Sequence, residues 1–231
     1  MRQLALDLKL ADYALFETFY AGPNAPVVEA VRQAATVNSP QVHWLWGRAG
    51  AGRSHLLQAA VAAASKAGQR SAWLPMTDTA MRPAMLDGMG SLDLLCVDDV
   101  DRVAGDADWE HALFAVFEEL RNHQGRLLVS GSVPAAEAGF GLRDLASRLA
   151  SGPTWKLQVL EDQGRLAALQ LRSRWRGLVL PDETGQFLLR RVDRSNQALF
   201  ALLDRLDEAA LRQQRRLTVP FVKTVLTEPA D

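Results

Sequence analysis

The chain has 231 residues, 48% of them hydrophobic and 23% charged, a composition suited to one full-sized core or a core plus a small second domain. Its 26 basic and 27 acidic residues nearly cancel, which argues against unaided DNA binding and leaves open DNA reached through a partner. Cys96 is the single cysteine, so no internal disulfide can form. The first residues carry no apolar signal region and no stretch approaches ~20 uninterrupted apolar residues, so a cytoplasmic protein without membrane contact is expected.

Leu4, Leu6, Leu8 and Leu10 alternate with polar or small residues at period two, which predicts an extended tail over residues 1–11. A turn at Gly22-Pro23-Asn24 precedes a predicted helix over 27–37, closed by Asn38-Ser39-Pro40. Strands and helices then alternate. Strands are expected at 42–46, 71–74, 92–97, 126–129 and 155–160. Helices are expected after the first strand to about Gly68, and at 78–86, 109–123 and 142–149. Strands separated by helices imply parallel pairing. Beyond Glu161 the spacing is helical only, over 165–176, 182–192, 197–214 and 219–226, which puts a domain boundary near residue 160.

The segment Gly47-Arg48-Ala49-Gly50-Ala51-Gly52-Arg53-Ser54 follows an apolar strand and opens a helix. That is the context of a phosphate-binding loop. Glycines let successive N–H groups curl toward phosphate oxygens, and the helix start adds partial positive charge. Ser54 is the expected Mg²⁺ ligand. Arg53 stands where lysine is usual; it keeps the charge but not the compact reach of an ammonium, so weak intrinsic hydrolysis is expected. The run Leu94-Leu95-Cys96-Val97 ends in Asp98 and Asp99. A strand-end acid in such proteins holds the Mg²⁺ shell, which assigns Asp98, and its neighbour can position the attacking water, which assigns Asp99.

These motifs resemble the AAA+ domain of the DnaA family of replication initiators, and within it the Hda group, over nearly the whole chain. Phe16-Glu17-Thr18-Phe19 with Gly22 and Asn24 is similar to the family's opening segment near the adenine. Leu145-Ala146-Ser147-Arg148-Leu149 is similar to the box VII segment, which makes Arg148 the arginine-finger position, and Arg216-Leu217-Thr218-Val219-Pro220-Phe221-Val222-Lys223 is similar to the Hda ending. The resemblance puts Ser132 at the sensor 1 position. It puts Gln197 where sensor 2 usually carries arginine, with Arg194 close by on another helical face. It implies a bound ADP or ATP with Mg²⁺, a parallel αβα sandwich over 12–160, and a small helical lid over 161–231. Because the chain ends at Asp231, no helix-turn-helix DNA-binding domain is expected after the lid.

Gln3-Leu4-Ala5-Leu6-Asp7-Leu8 resembles the short peptide by which bacterial proteins bind the β sliding clamp of DNA polymerase III. Alternate leucines suit an apolar pocket and Gln3 offers an amide; an edge strand packed on the protein's own sheet is the plainer alternative. The resemblance thus implies regulatory inactivation of DnaA: a clamp-associated protein, reaching DNA through the clamp, that promotes hydrolysis of ATP on DnaA. Partner contacts would come from Gln3, Leu4, Leu6, Leu8 and Arg148, and a homo-oligomer is expected. A self-sufficient AAA+ ATPase or a DnaA-related helicase loader is the alternative. A small-molecule phosphotransferase would need a convergent acid–base set, which the sequence lacks. His43, His55, His111 and His123 have no zinc-ligand spacing.

Overall fold

The computed structural model describes residues 14–36, 42–191, 196–213 and 215–227. The chain divides into two compact units, one of which contains Pro23–Val159 and the other Leu160–Asp231.

In the first unit the elements are α1 (Ala25–Thr36), β1 (Val42–Trp46), α2 (Arg53–Lys66), β2 (Ser71–Pro75), β3 (Leu94–Asp98), α3 (Ala107–Asn122), β4 (Arg126–Gly131), α4 (Arg143–Ala150) and β5 (Thr154–Lys156). The five strands form one parallel sheet in the order β2-β3-β4-β1-β5. Every residue of β3 and β4 is buried, as a parallel sheet covered on both faces requires. One face presents Val42, Trp44, Leu95, Val97, Leu127 and Val129 to the apolar sides of α3 and α4. The other packs on α2, whose Leu56, Leu57, Ala60 and Ala64 are wholly buried. Trp44 is core, its indole N–H donating to Val133 O at 2.9 Å, whereas Trp46 is only partly buried beneath the Lys156 ammonium.

Three sequence expectations are corrected. Residues 78–86 are not one helix: turns lead into 3-10 turns at Pro83–Leu86 and Met89–Ser91. Pro83 holds Arg82 extended (φ −137°, ψ 149°), and Asp78 Oδ1 captures Ala80 N at 2.8 Å, an alternative to helical bonding. The third strand starts at Leu94, where its pairing with Ser71 and Arg126 begins, and the Asp93 carbonyl before it accepts both the backbone N–H and the Nε–H of Arg126. The fifth strand ends at Lys156. Past Leu157, which still donates to Trp46 O, the backbone of Gln158 turns to the Asn24 carboxamide, giving its N–H to Oδ1 at 2.8 Å and accepting from Nδ2 at 2.9 Å.

Arg126 is a buried cation at the entry of β4. Nη1 donates to Ala34 O (2.9 Å), Nη2 to Gln69 Oε1 (2.7 Å) and Nε to Asp93 O (3.1 Å), tying α1, the loop before β2 and the start of β3 to one guanidinium.

The second unit carries α5 (Asp162–Trp175), α6 (Asp182–Arg191), α7 (Asn196–Gln213) and α8 (Val219–Thr227). Its core centres on Leu169, Leu188, Leu203, Leu206, Phe221 and Val222. Arg172 is buried and pairs with Asp204 at 3.1 Å, and Arg176 spans Asp204 and Asp207. No helix among the described residues is long and apolar enough to cross a membrane.

Candidate nucleotide site

The site lies at the carboxyl ends of the central strands, where open parallel sheets collect ligands. β1 runs into a loop in which Gly50 (φ 80°) and Gly52 (φ 98°) take the left-handed conformation that lets the chain double back before α2. Gly47 is fixed by crowding instead, since a Cβ there would stand 2.6 Å from the Leu157 carbonyl. Around Gly50 a Cβ would meet nothing within 4 Å, and Arg48, Ala49 and Gly50 are exposed, so this side of the loop is open. Ala51 is buried and bonds back to Arg48 O at 3.1 Å. Gly52 is the N-cap of α2 and supplies no side-chain acceptor, so the start of this 14-residue helix turns the positive end of its dipole toward a ligand.

Arg53 folds across the loop. Nη1 donates to Gly47 O and Nη2 to Asp99 Oδ1 at 2.5 Å, and both side chains of the ion pair are mostly buried. Asp99 adopts left-handed geometry (φ 54°, ψ 45°), the sharp exit from β3 that turns its carboxylate toward Arg53. Asp98 is buried, and its carboxylate accepts the Ser130 hydroxyl, while Ser54 hydrogen-bonds it as well. Burial raises the Asp98 pKa; the Ser130 and Ser54 hydroxyls and the Arg53 charge pull against that rise, and the Asp99 charge adds to it.

Ser130 is a residue that sequence reasoning missed. It sits on β4, the strand between β1 and β3, where Leu45 is its partner in register. From there its hydroxyl joins the two acids at the end of β3, donating to Asp98 and accepting Asp99 N at 2.9 Å. The available signal was a lone hydroxyl ending the apolar run Leu127-Leu128-Val129. Ser132, the expected sensor, is exposed, and its N–H and hydroxyl both go to Asp101 Oδ2.

Arg148 lies on α4 at the exposed flank of the face that buries Leu145 and Leu149. Its side chain is 47% exposed, with Nε 3.3 Å from Glu118 Oε1 on α3. Gln3, Leu4, Leu6, Leu8 and Arg194, and the side chain of Gln197, lie outside the described residues.

The residues present fit a nucleotide with Mg²⁺. An uncapped helix start and left-handed glycines suit phosphate, and a hydroxyl beside a carboxylate, Ser54 and Asp98, is the oxygen pair that a hard divalent cation takes.

The family model for the bacterial DnaA ATPase domain matches residues 10–159. The chain belongs to the bacterial DnaA ATPase family. A second family model, the lid domain of Hda, matches residues 162–226, so this DnaA-family protein combines the AAA+ nucleotide-binding domain with an Hda-type lid. Among solved structures, domain III of the replication initiation protein DnaA from Thermotoga maritima is 20% identical. It superposes with a TM-score of 0.76 over 94% of this chain and 97% of that one. AMPPCP-bound DnaA from Aquifex aeolicus is 23% identical, with a TM-score of 0.65 over 89% of this chain and 70% of that one. The RuvB Holliday junction branch migration motor of Thermotoga maritima, 14% identical, superposes at 0.61 over 90% of this chain and 67% of that one. These likenesses show the fold of the DnaA-family chain.

Proposed function

We propose that this DnaA-family protein is a regulatory inactivator of DnaA, which holds ADP or ATP in its own site and stimulates hydrolysis of ATP bound to DnaA. Gly47 through Ser54 hold the phosphates through backbone N–H groups and the Arg53 charge; Ser54 and Asp98 hold Mg²⁺. Bound there, the nucleotide phosphates supply the anionic charge that the start of α2 lacks. Asp99 engages Arg53 and is the candidate to orient water. Weak turnover by the protein alone is the expectation from the pairing of these two residues, because Arg53 must leave Asp99 before it reaches the γ-phosphate.

The observation that carries the reading is the placement of Arg148. It is a half-exposed arginine on the outer side of α4, paired with Glu118 rather than with a group of the phosphate loop. From there a guanidinium can stabilise charge developing on a nucleotide held by a neighbouring subunit. The N-terminal residues Gln3, Leu4, Leu6 and Leu8 tether the protein to the β sliding clamp of DNA polymerase III. DNA is thereby met through the clamp, in the cytoplasm, with assembly into homo-oligomers.

The test is a reconstituted assay with ATP-loaded DnaA and clamp loaded on DNA. Wild type should accelerate hydrolysis on DnaA. Arg148→Ala should lose nearly all stimulation, since an arginine supplied in trans is worth ~10³–10⁵ in rate, and Arg148→Lys should recover little of it. Gln3→Ala with Leu6→Ala should abolish clamp dependence. Undiminished stimulation by Arg148→Ala would refute the role of this residue, and rapid turnover without DnaA would favour a self-sufficient ATPase.

A further inference from the structure

The loops that lead into α3 and α4 converge on one side chain. Glu110, in the first turn of α3, is only 2% exposed although it is a carboxylate. Its Oε1 accepts the Gly105 N–H at 2.6 Å and the Gly141 N–H at 2.9 Å, and its Oε2 accepts the Leu142 N–H at 2.5 Å. Burial by itself would raise its pKa; the backbone donors at Gly105, Gly141 and Leu142, helped by the His111 charge, outweigh that and bring it below the usual value.

Leu142 is the N-cap of α4 and has no side chain able to cap. In a capping box, a Glu at the third helical position reaches back to the N-cap N–H. That position in α4 is Leu145, wholly buried in the core. Glu110 makes the missing contact from a different helix. About two turns further along α3, Glu118 pairs with Arg148. Both the start of α4 and its arginine are therefore referenced to α3. The Gly105 bond also ties Glu110 to the segment that leaves Asp99 through the turn Val100–Val103.

We propose that Glu110 is a positioning residue that fixes where Arg148 is presented, by docking the backbone at the start of α4 onto α3. The proposal rests on the reading of Arg148 as an arginine acting on DnaA. Glu110→Gln keeps size and one acceptor. With the amide oxygen at the Gly105 and Gly141 side, its NH₂ confronts Leu142 N–H; flipped, only the Leu142 bond survives. Either way the start of α4 is held less well.

Glu110→Gln, Arg148→Ala and the double variant are compared in the reconstituted DnaA assay. A displacement of ~1 Å is enough to cost ~10²-fold, so Glu110→Gln should lower the maximal stimulated rate ~10–100-fold and leave the half-saturating concentration within ~threefold. The double variant should be no slower than Arg148→Ala alone, because misplacing an absent arginine has no further effect. Losses that multiply in the double variant would overturn the proposal. A second readout needs no DnaA: amide hydrogen exchange over residues 141–150 should quicken in Glu110→Gln, while residues 94–98 and 126–131 keep wild-type protection. Unchanged exchange over 141–150 would overturn it as well. Should Arg148→Ala stimulate normally, the reading of Arg148 fails, and the exchange data still decide whether Glu110 places α4.

Discussion

Asp99→Asn should tighten nucleotide binding. Arg53 has to meet phosphate, yet its guanidinium spans Gly47 O and the Asp99 carboxylate, with side chains only 12% and 19% exposed. At an effective dielectric of ~20, two unit charges ~4 Å apart attract by about 4 kcal/mol, and desolvation of both partners offsets most of that. A net hold of roughly 1–2 kcal/mol remains by this reasoning. Asparagine removes the hold and also the negative charge facing the incoming phosphates, so the two effects share a sign. It tolerates left-handed backbone as aspartate does, which keeps the φ of 54° at this position unstrained. Since about 1.4 kcal/mol is tenfold, Kd for ADP and for ATP should each fall ~5–30-fold. Titration calorimetry with each nucleotide in Mg²⁺ measures it. High salt should erode the gain only partly, because the pair is largely shielded from counterions. An unchanged or weaker Kd would refute the reasoning, and would mean that Arg53 reaches phosphate without leaving Asp99.

Two further outcomes follow from buried charge. Arg126→Met strips hydrogen bonds from the Ala34 and Asp93 carbonyls and the Gln69 amide, and should cost roughly 3–5 kcal/mol in urea unfolding; a loss under ~1 kcal/mol would contradict the role of Arg126 in tying these segments together. Asp98→Asn should raise the Tm of the nucleotide-free protein while abolishing Mg²⁺-dependent tightening. The sign follows from a carboxyl whose folded pKa is raised by burial: the native state binds the proton more tightly, so stability falls as pH climbs from the unfolded pKa through the folded one. The variant should lose that slope, and a Tm below wild type at neutral pH would reverse the argument.

The parts of the site that were legible from sequence are those written locally. Gly47 through Ser54 is one uninterrupted stretch between a strand and a helix, and Asp98 ends an apolar run, so chain order alone places them. The apolar runs of β1, β3 and β4 announce buried strands because a parallel sheet covered on both faces leaves no polar alternation. What was not legible is long-range. Arg53 with Asp99, Ser130 with Asp98, and Glu110 with Gly141 and Leu142 are pairings between distant segments, and no periodicity announces them. Glu110 in particular looks like one more acid in the first turn of an amphipathic helix. Residues 78–86 misled for a different reason: their helical spacing is real, but Pro83 and the Asp78 side chain give the backbone other partners.

The two long helices that flank β2 and β3 begin in opposite ways. Asp106 caps α3 from within the chain, its carboxylate taking the N–H groups of Asp108 and Trp109. At the start of α2, Gly52 brings no side chain of the kind, so the positive end of that helix dipole is open to an anion from solution. A chain that leaves one of its central helices to be finished by a metabolite makes its own persistence depend on the concentration of that metabolite. At a free concentration of ~100 times Kd the dependence amounts to about 2.7 kcal/mol, a large share of the stability of an ordinary domain. With ADP or ATP in that place, as in the proposed function, the protein's lifetime in the cell would follow the adenine nucleotide pool, before any partner is met.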